Sequence, residues 1–224
     1  MRCEARHQPP NAGPSGREGE RVLQADRSCV SFVSGRVQGV GAAAATAVET
    51  DRLVLRRWRP SDAAPLAAIN ADPEVMRFIG RGAVLGRGLS DDLLGRFERE
   101  WADRGFGLWA VEERAAPGEL LGFCGLTVPM FLPNLLPAVE VGWRLAPRAW
   151  GRGLATEAAR AALAFGFGPA HGMREILAIV NPDNVRSLRV TEKLGMTARP
   201  DRFHTGANMR VNVLGIASDA VATA

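Results

Sequence analysis

The amino-acid sequence predicts a mixed α/β domain in which a twisted sheet carries flanking helices and one helix crosses over between two strands. Three observations carry that expectation. Leu53 and Leu55 alternate with Val54, Arg56 and Trp58 where the patterned part of the chain begins. The segments GLWAVEE and ELLGFCGLTV flank Ala116-Pro117-Gly118 as the arms of a hairpin do. Finally, AVEVGWRL runs through a glycine turn and an alanine-rich helix into REILAIV, the order of a crossover unit.

With 224 residues the chain has room for one domain of about 150 to 200 residues and a tail. Residues 1–47 are rich in Gly, Ala, Pro, Ser and Arg without helical or strand period, and read as a disordered tail. Glycines and Arg36 interrupt their one mildly apolar stretch, which argues against a secretory signal. Residues 48–217 form the expected domain and 218–224 a short C-terminal tail.

After the first strand, Arg59-Pro60-Ser61-Asp62 sets a helix start with Ser61 as N-cap and Leu66 and Ile69 inward. Asp72-Pro73 repeats the cap-plus-proline signal before a short helix through Phe78. Ser90-Asp91-Asp92 opens a third helix, whose Leu93, Leu94, Phe97 and Trp101 share a face and which Gly105 stops. The hairpin follows, then MFLPNLLPA, a proline-broken apolar loop. In AVEVGWRL, Val139, Val141, Trp143 and Leu145 form an apolar face; Glu140, Gly142 and Arg144 put a carboxylate, bare backbone and a guanidinium on the other. REILAIV is apolar on both faces, as a central strand is. NPDNVRSLRVTEKLG is a helix with Pro182 in its first turn and Gly195 at its stop, and MRVNVLGI is a last strand.

Composition narrows the function. Hydrophobic residues make up 46%, yet no uncharged apolar run reaches the roughly 18 residues of a membrane span. Cys3, Cys29 and Cys124 are odd in number and lack metal-ligand spacing, so neither a disulfide framework nor a metal site is expected, and the cytoplasm is the default compartment. The net charge of +4 comes almost wholly from arginine, Lys193 being the single lysine. That surplus suits an anionic ligand and is too small to argue for nucleic acid.

The stretch RAWGRGLATEA, starting at Arg148, is the most informative. Backbone N–H groups at a helix start lack intrahelical partners, and the helix dipole favours negative charge there. Gly151 and Gly153 let phosphate oxygens approach the main chain, while Arg148 and Arg152 add charge from the flanks. A nucleoside-triphosphate loop would need a lysine after the glycines, and a dinucleotide fold a third glycine after the first strand; both are missing. The pattern R-x-x-G-x-G, Arg148 to Gly153, resembles the diphosphate grip of the GNAT superfamily of acyl-CoA-dependent N-acyltransferases. TDRLVLRRWRPSDAAPLAAINADPEVMRFI, AVEVGWRLAPRAWGRGLATEA and NPDNVRSLRVTEKLGM extend the resemblance to the branch that includes the ribosomal-protein N-terminal acetyltransferases, over roughly Thr50 to Thr197.

That resemblance implies a GNAT fold: a mixed, mostly antiparallel twisted sheet whose two parallel strands, ending near Leu145 and Val180, splay to admit acetyl-CoA. It implies main-chain pairing of Trp143, Arg144 and Leu145 with pantetheine, and a diphosphate held by Arg148, Trp150, Gly151, Arg152, Gly153, Leu154, Ala155 and Thr156. Asn181 and Asn184 belong to the same cofactor set, Asn181 either bonding the pantetheine or a water, or capping the next helix. No metal is implied. The resemblance also implies that the amine attacks the thioester directly. Glu140 is the candidate base, the alternative being a carboxylate paired with Arg144 or solvated. Ser187 is the candidate to hydrogen-bond the departing thiolate, the alternative being a helix serine bonded to its own turn.

Many family members use a tyrosine there, and this chain has none, with Gly215 about where it would fall. The shortened segment after Thr197, with His204, departs from the family pattern and leaves open a catalytically weak acyl-CoA-binding module. Trp101 and Trp109 read as core; Trp58, Phe78 and Met130 to Leu136 as the acceptor end; Arg186, Arg189 and Arg160 as either a 3′-phosphate contact or a solvated face. The expected activity is acetyl transfer to a primary amine, foremost a protein or peptide N-terminus, then a small-molecule amine such as an antibiotic or polyamine. About a tenth of an α-amine is neutral at pH 7, against well under a thousandth of a lysine, so the base has less to do at an N-terminus. A homodimer is compatible with the sequence.

Overall fold

The computed structural model describes residues 47–201 and 211–221. Residues 1–46, 202–210 and 222–224 lie outside the described residues, and with them the expected tail, His204 and the start of the expected last strand at Met209 and Arg210. Ala47, assigned to the tail, instead opens the first strand.

Among the described residues eight strands form one sheet. In chain order they are β1 (Ala47–Glu49), β2 (Leu53–Arg56), β3 (Leu108–Glu113), β4 (Leu120–Thr127), β5 (Glu140–Leu145), β6 (Glu175–Val180), β7 (Thr197–Ala198) and β8 (Asn212–Ala217). They lie side by side as β1-β2-β3-β4-β5-β6-β8-β7. Every neighbouring pair is antiparallel except β5 and β6, which run parallel because a helix crosses over between them.

The helices are α1 (Ala63–Asn70), α2 (Pro73–Met76), α3 (Arg87–Arg104), α4 (Leu154–Phe167), α5 (Val185–Lys193) and α6 (Ser218–Val221). Two starts differ from expectation. Ser61 makes no cap bond: a 3₁₀ turn at Pro60–Asp62 precedes α1, and Asp62 organises it, accepting from the Arg59 N–H at 2.7 Å and from Arg56 Nη1 and Nη2 at 2.8 and 2.9 Å. Arg56 also donates Nε to Glu112 at 2.7 Å, so the buried guanidinium is neutralised on two sides. The third helix begins before Ser90, with Gly86 as N-cap; Ser90 is buried inside it, where its Oγ accepts from Asn70 Nδ2 at 3.1 Å. Asp72 caps α2 as expected through the Glu74 N–H, although the helix ends at Met76. Gly105 ends α3 with φ 74°. Pro182 stands ahead of α5 rather than in its first turn, and the expected C-terminal tail opens with α6.

Alternation along the strands assigns the two faces. Leu154, Ala158, Ala162 and Leu163 of α4 meet Leu126, Val141 and Leu145 on one face. Leu66, Ile69 and Phe97 of α1 and α3 meet Leu108, Ala110 and Phe123 on the other. Gly166 lets α4 approach closely, since a Cβ there would fall 2.7 Å from both Ile176 Cδ1 and Leu126 Cδ1.

The parallel pair positions the site. β5 and β6 share one register pair, Glu140 with Leu177, where the Leu177 N–H donates to Val139 O at 2.9 Å. Beyond it they diverge, leaving the facing main-chain edges without a common ladder.

Candidate active site

A cleft of about 930 Å³ occupies the gap between the diverging strands. Trp143, Arg144 and Leu145 of β5, Trp150, Gly151 and Gly153 of the turn, and Leu154, Ala155 and Thr156 of α4 line it. Asn181, Asn184 and Ser187 face them from the end of β6 and the start of α5, and Glu140 lies at the closed end.

These residues fit acetyl-CoA on three grounds. The inner edge of β5 offers main-chain groups that β6 does not pair beyond Glu140. Gly151 and Gly153 have φ 73° and 78°, a conformation side chains resist, and no atom lies within 4 Å of a Cβ built on Gly151, so the main chain is bare to the cleft. Among the described residues no side chain caps the start of α4, which leaves its first N–H groups for an anion.

Two expected cofactor residues are placed differently. Arg148 donates Nη2 to Leu120 O at 2.6 Å and pairs with Glu119 at 3.0 Å, and Arg152 makes a bidentate pair with Glu113 at 2.7 and 2.6 Å. Neither side chain is among those that line the cleft, their charges being paired with Glu119 and Glu113 instead. The physical reason is pairing: the sheet sets the acidic ends of the β3–β4 hairpin behind the turn, and exposed guanidinium groups pair with the carboxylates in reach. They hold the turn from outside, with help the sequence did not disclose. Arg52 donates to Arg152 O at 3.0 Å and to Glu157 Oε2 at 2.7 Å, and Thr50 donates to Glu157 Oε1 at 2.6 Å.

The asparagines divide their roles. Asn184 caps α5, accepting from the Ser187 N–H at 3.1 Å, while Asn181 Oδ1 accepts from the Asp183 N–H at 2.9 Å. Ser187 is half-buried and faces the cleft.

Glu140 is 8% exposed, and among the described residues no cation pairs with it. Burial, with Glu100 adding like-charge repulsion, pushes its carboxyl up to about 8. Glu100 is held by Thr127 Oγ1 at 2.6 Å and the Val128 N–H at 2.8 Å, Thr127 being the β4 residue opposite Glu140. Nothing in the sequence flagged Glu100, a polar helix residue 40 positions away. Arg144 is no partner of Glu140. Its Nη1 donates to Asn70 Oδ1 at 2.6 Å and its guanidinium lies 5.0 Å from the Phe123 ring centroid.

Several peripheral expectations resolve as well. Phe78, Met130 and Phe131 line the cleft. Trp58 does not: it is buried against Phe97, ring centroids 5.5 Å apart, with Nε1 on Leu108 O. Leu132 and Leu135 turn inward onto Leu177 and Val213 instead of facing an acceptor. Trp101 and Trp109 are core. Arg186 and Arg189 line the cleft, Arg186 stacked 4.4 Å from the Trp150 ring centroid, whereas Arg160 binds Lys193 O outside it. Gly215 sits opposite Leu177 in β8, and the Arg199 side chain, tied to Glu175 at 2.7 Å, fills the space above it.

The chain belongs to the GNAT acetyltransferases: the family's acetyltransferase (GNAT) domain matches residues 52–197. YkkB of Bacillus subtilis is 38% identical over 162 residues, which are 68% of this chain and 86% of that protein. An acetyltransferase from Agrobacterium tumefaciens shares the fold with TM-score 0.66 at 24% identity, covering 81% of this chain and 99% of the other. Two more distant structures share the fold. Mycobacterium smegmatis RimJ in complex with CoA-disulfide has TM-score 0.59 at 20% identity, covering 75% and 83% of the two chains. Spermidine N-acetyltransferase from Vibrio cholerae in complex with CoA and spermine has TM-score 0.57 at 19% identity, covering 76% and 98%. The protein is an N-acetyltransferase, and acetyl-CoA is its acyl donor. Among the described residues no helix is long and apolar enough to cross a membrane.

Proposed function

We propose that this N-acetyltransferase acts on an α-amine, foremost the N-terminus of a peptide or protein, with Glu140 as proton acceptor and Ser187 as the hydrogen-bond donor to the leaving sulfur. Acetyl-CoA, when bound, supplies the activated acyl carbon and a thiol leaving group. Main-chain groups of Trp143, Arg144 and Leu145 orient it, and the bare turn from Trp150 to Thr156 takes its diphosphate. The resemblance of Thr50 to Thr197 to the ribosomal-protein N-terminal acetyltransferases supports the same acceptor.

One observation carries the proposal: Glu140 is a buried carboxyl in the cleft wall with no cation beside it among the described residues, and that burial, with Glu100 near, pushes it up to about 8, the range of an α-ammonium. Proton transfer from such an ammonium to Glu140 is close to thermoneutral. From a lysine, whose ammonium titrates near 10.4, the same transfer runs uphill by about 3 kcal/mol. Ser187 has its N–H engaged by Asn184, which fixes the first turn of α5 and holds the hydroxyl at the cleft wall.

A polyamine is the second reading, favoured by the carboxylates of Glu74, Glu100 and Asp103 along the same cleft. Thiol release from acetyl-CoA is to be followed with free-amine peptides, lysine peptides blocked at the N-terminus, and spermine, from pH 6 to 9. The expected result is at least about tenfold higher kcat/KM for α-amines than for blocked lysine peptides, rising with pH to a plateau above about 8. Equal rates for lysine and α-amine refute the proton-matching reading. Acetyl-CoA binding without turnover of any acceptor favours a binding module.

A further inference from the structure

Arg144 carries an imbalance that the acetyl-transfer reading does not absorb. Its guanidinium is partly buried in the cleft wall, and among the described residues no carboxylate pairs with it. The Nε–H is sealed from solvent and has no acceptor among the described residues. Among the described residues its side chain makes one hydrogen bond, that of Nη1 to Asn70 Oδ1. Arg56, the other arginine sunk in this sheet, has Asp62 and Glu112 around it. A buried cation is ordinarily matched by a counter-charge. Desolvation without compensation pulls the Arg144 guanidinium down to about 10.

The side of the sheet indicates which ligand completes it. Arg144 contacts Asn70 at the end of α1 and Phe123, both on the face covered by α1 and α3. The start of α4, with the bare glycine turn, packs on the opposite face with Val141 and Leu145. Arg144 shares its face of β5 with Glu140, four residues away or about 13 Å along an extended strand. Gly142, between them, has no side chain, and a Cβ there would meet only Leu108 Cδ2 at 3.9 Å. The floor of the cleft from carboxyl to guanidinium is therefore open. An extended peptide advances about 3.3 Å per residue, so an amine at Glu140 sets its second or third side chain within reach of Arg144.

We infer that Arg144 is a specificity-determining residue that takes a carboxylate of the acceptor, so that this enzyme selects amine acceptors bearing an acidic group two or three residues, or an equivalent length, from the amine. The inference rests on the α-amine reading of the cleft and deepens it by naming the acceptor class. A carboxylate from a peptide side chain and one from a small amino acid derivative are the same chemistry at this group. A third anion, the diphosphate of CoA, is the competing source.

The test uses the full chain and tripeptide amides with a free α-amine carrying glutamate or glutamine at the second or third position, with γ-aminobutyrate as the small acidic amine. Turnover is measured with acetyl-CoA, and binding by calorimetry with CoA present, so that recognition is read even without chemistry. Wild-type protein is expected to prefer the better glutamate peptide over its glutamine twin at least tenfold in binding and in kcat/KM. That ratio is expected to collapse towards one in Arg144→Gln and to be partly kept in Arg144→Lys, whose fold is checked by circular dichroism and acetyl-CoA affinity. Preference for γ-aminobutyrate, whose amine titrates in the lysine range, over every peptide overturns the α-amine reading on which the inference rests. A wild-type ratio near one overturns the inference, as does an Arg144→Gln variant that keeps the ratio while losing CoA affinity. Absence of turnover with every acceptor refutes the α-amine reading and leaves the binding ratio to decide the role of Arg144.

Discussion

Replacing Glu140 by glutamine is expected to make the protein more stable and less active, with a gain in stability that grows with pH. Burial and Glu100 lift the carboxyl from the ordinary 4.5 to about 8. Between those values the unfolded chain releases the proton while the folded chain keeps it, so the stability of the wild type falls as pH rises through the window and levels off above it. At about 1.36 kcal/mol per pH unit, the loss is about 2 kcal/mol by pH 6 and on the order of 4 kcal/mol by pH 8. Glutamine is neutral throughout and close in shape to the protonated acid, so the variant escapes the loss. With roughly 3 °C per kcal/mol for a protein of this size, its melting temperature is expected about 6 °C above wild type at pH 6 and about 12 °C above at pH 8, converging near pH 4.5. Calorimetric melting from pH 4.5 to 9, beside kcat/KM for an α-amine peptide, checks both halves. A constant offset in melting temperature across the series refutes the reasoning, because Glu140 would then titrate as an ordinary carboxylate and lose its match to the amine.

Other perturbations read the remaining parts of the site. Ser187→Ala is expected to lower kcat about a hundredfold with little change in acetyl-CoA affinity; unchanged kcat in steady-state assays removes Ser187 from the chemistry. Arg52→Ala breaks the contacts to Glu157 and Arg152 O that brace the glycine turn, and is expected to raise the KM for acetyl-CoA about fivefold, the equivalent of one exposed ion pair at its upper range. An unaltered KM shows that the turn needs no brace. Gly166→Ala drives a methyl group to within 2.7 Å of Ile176 and Leu126, with an expected destabilisation of about 1 to 3 kcal/mol in urea melts. A stabilised variant would show instead that helix propensity outweighs the clash.

Local chemistry made much of the molecule legible in advance. The alternation in AVEVGWRL put Glu140 and Arg144 on one face, and the glycines after Arg148 marked bare backbone before a helix; both follow from side-chain period and the absence of a Cβ, which neighbours distant in sequence do not alter. The αL stop at Gly105 and the cap at Asp72 are of the same kind. Where two local signals competed, the reading slipped: Ser61 and Ser90 are good caps in isolation, but Asp62 has Arg56 to bind and Ser90 has Asn70, and burial of those pairs moved the helix starts.

Pairing across the sheet belonged to tertiary structure alone. Arg148 and Arg152 stand beside the glycines in the chain, yet their charges go to Glu119 and Glu113, which only the β3–β4 hairpin brings behind the turn. Glu100 reaches Glu140 because α3 brings it to Thr127 and Val128 at the end of β4, opposite Glu140, and among the described residues no carboxylate pairs with Arg144. Periodicity and glycine geometry are properties of a few consecutive residues and so are written in the sequence. The charge state of a buried group is the sum of its desolvation and its neighbours, and those neighbours are chosen by the fold.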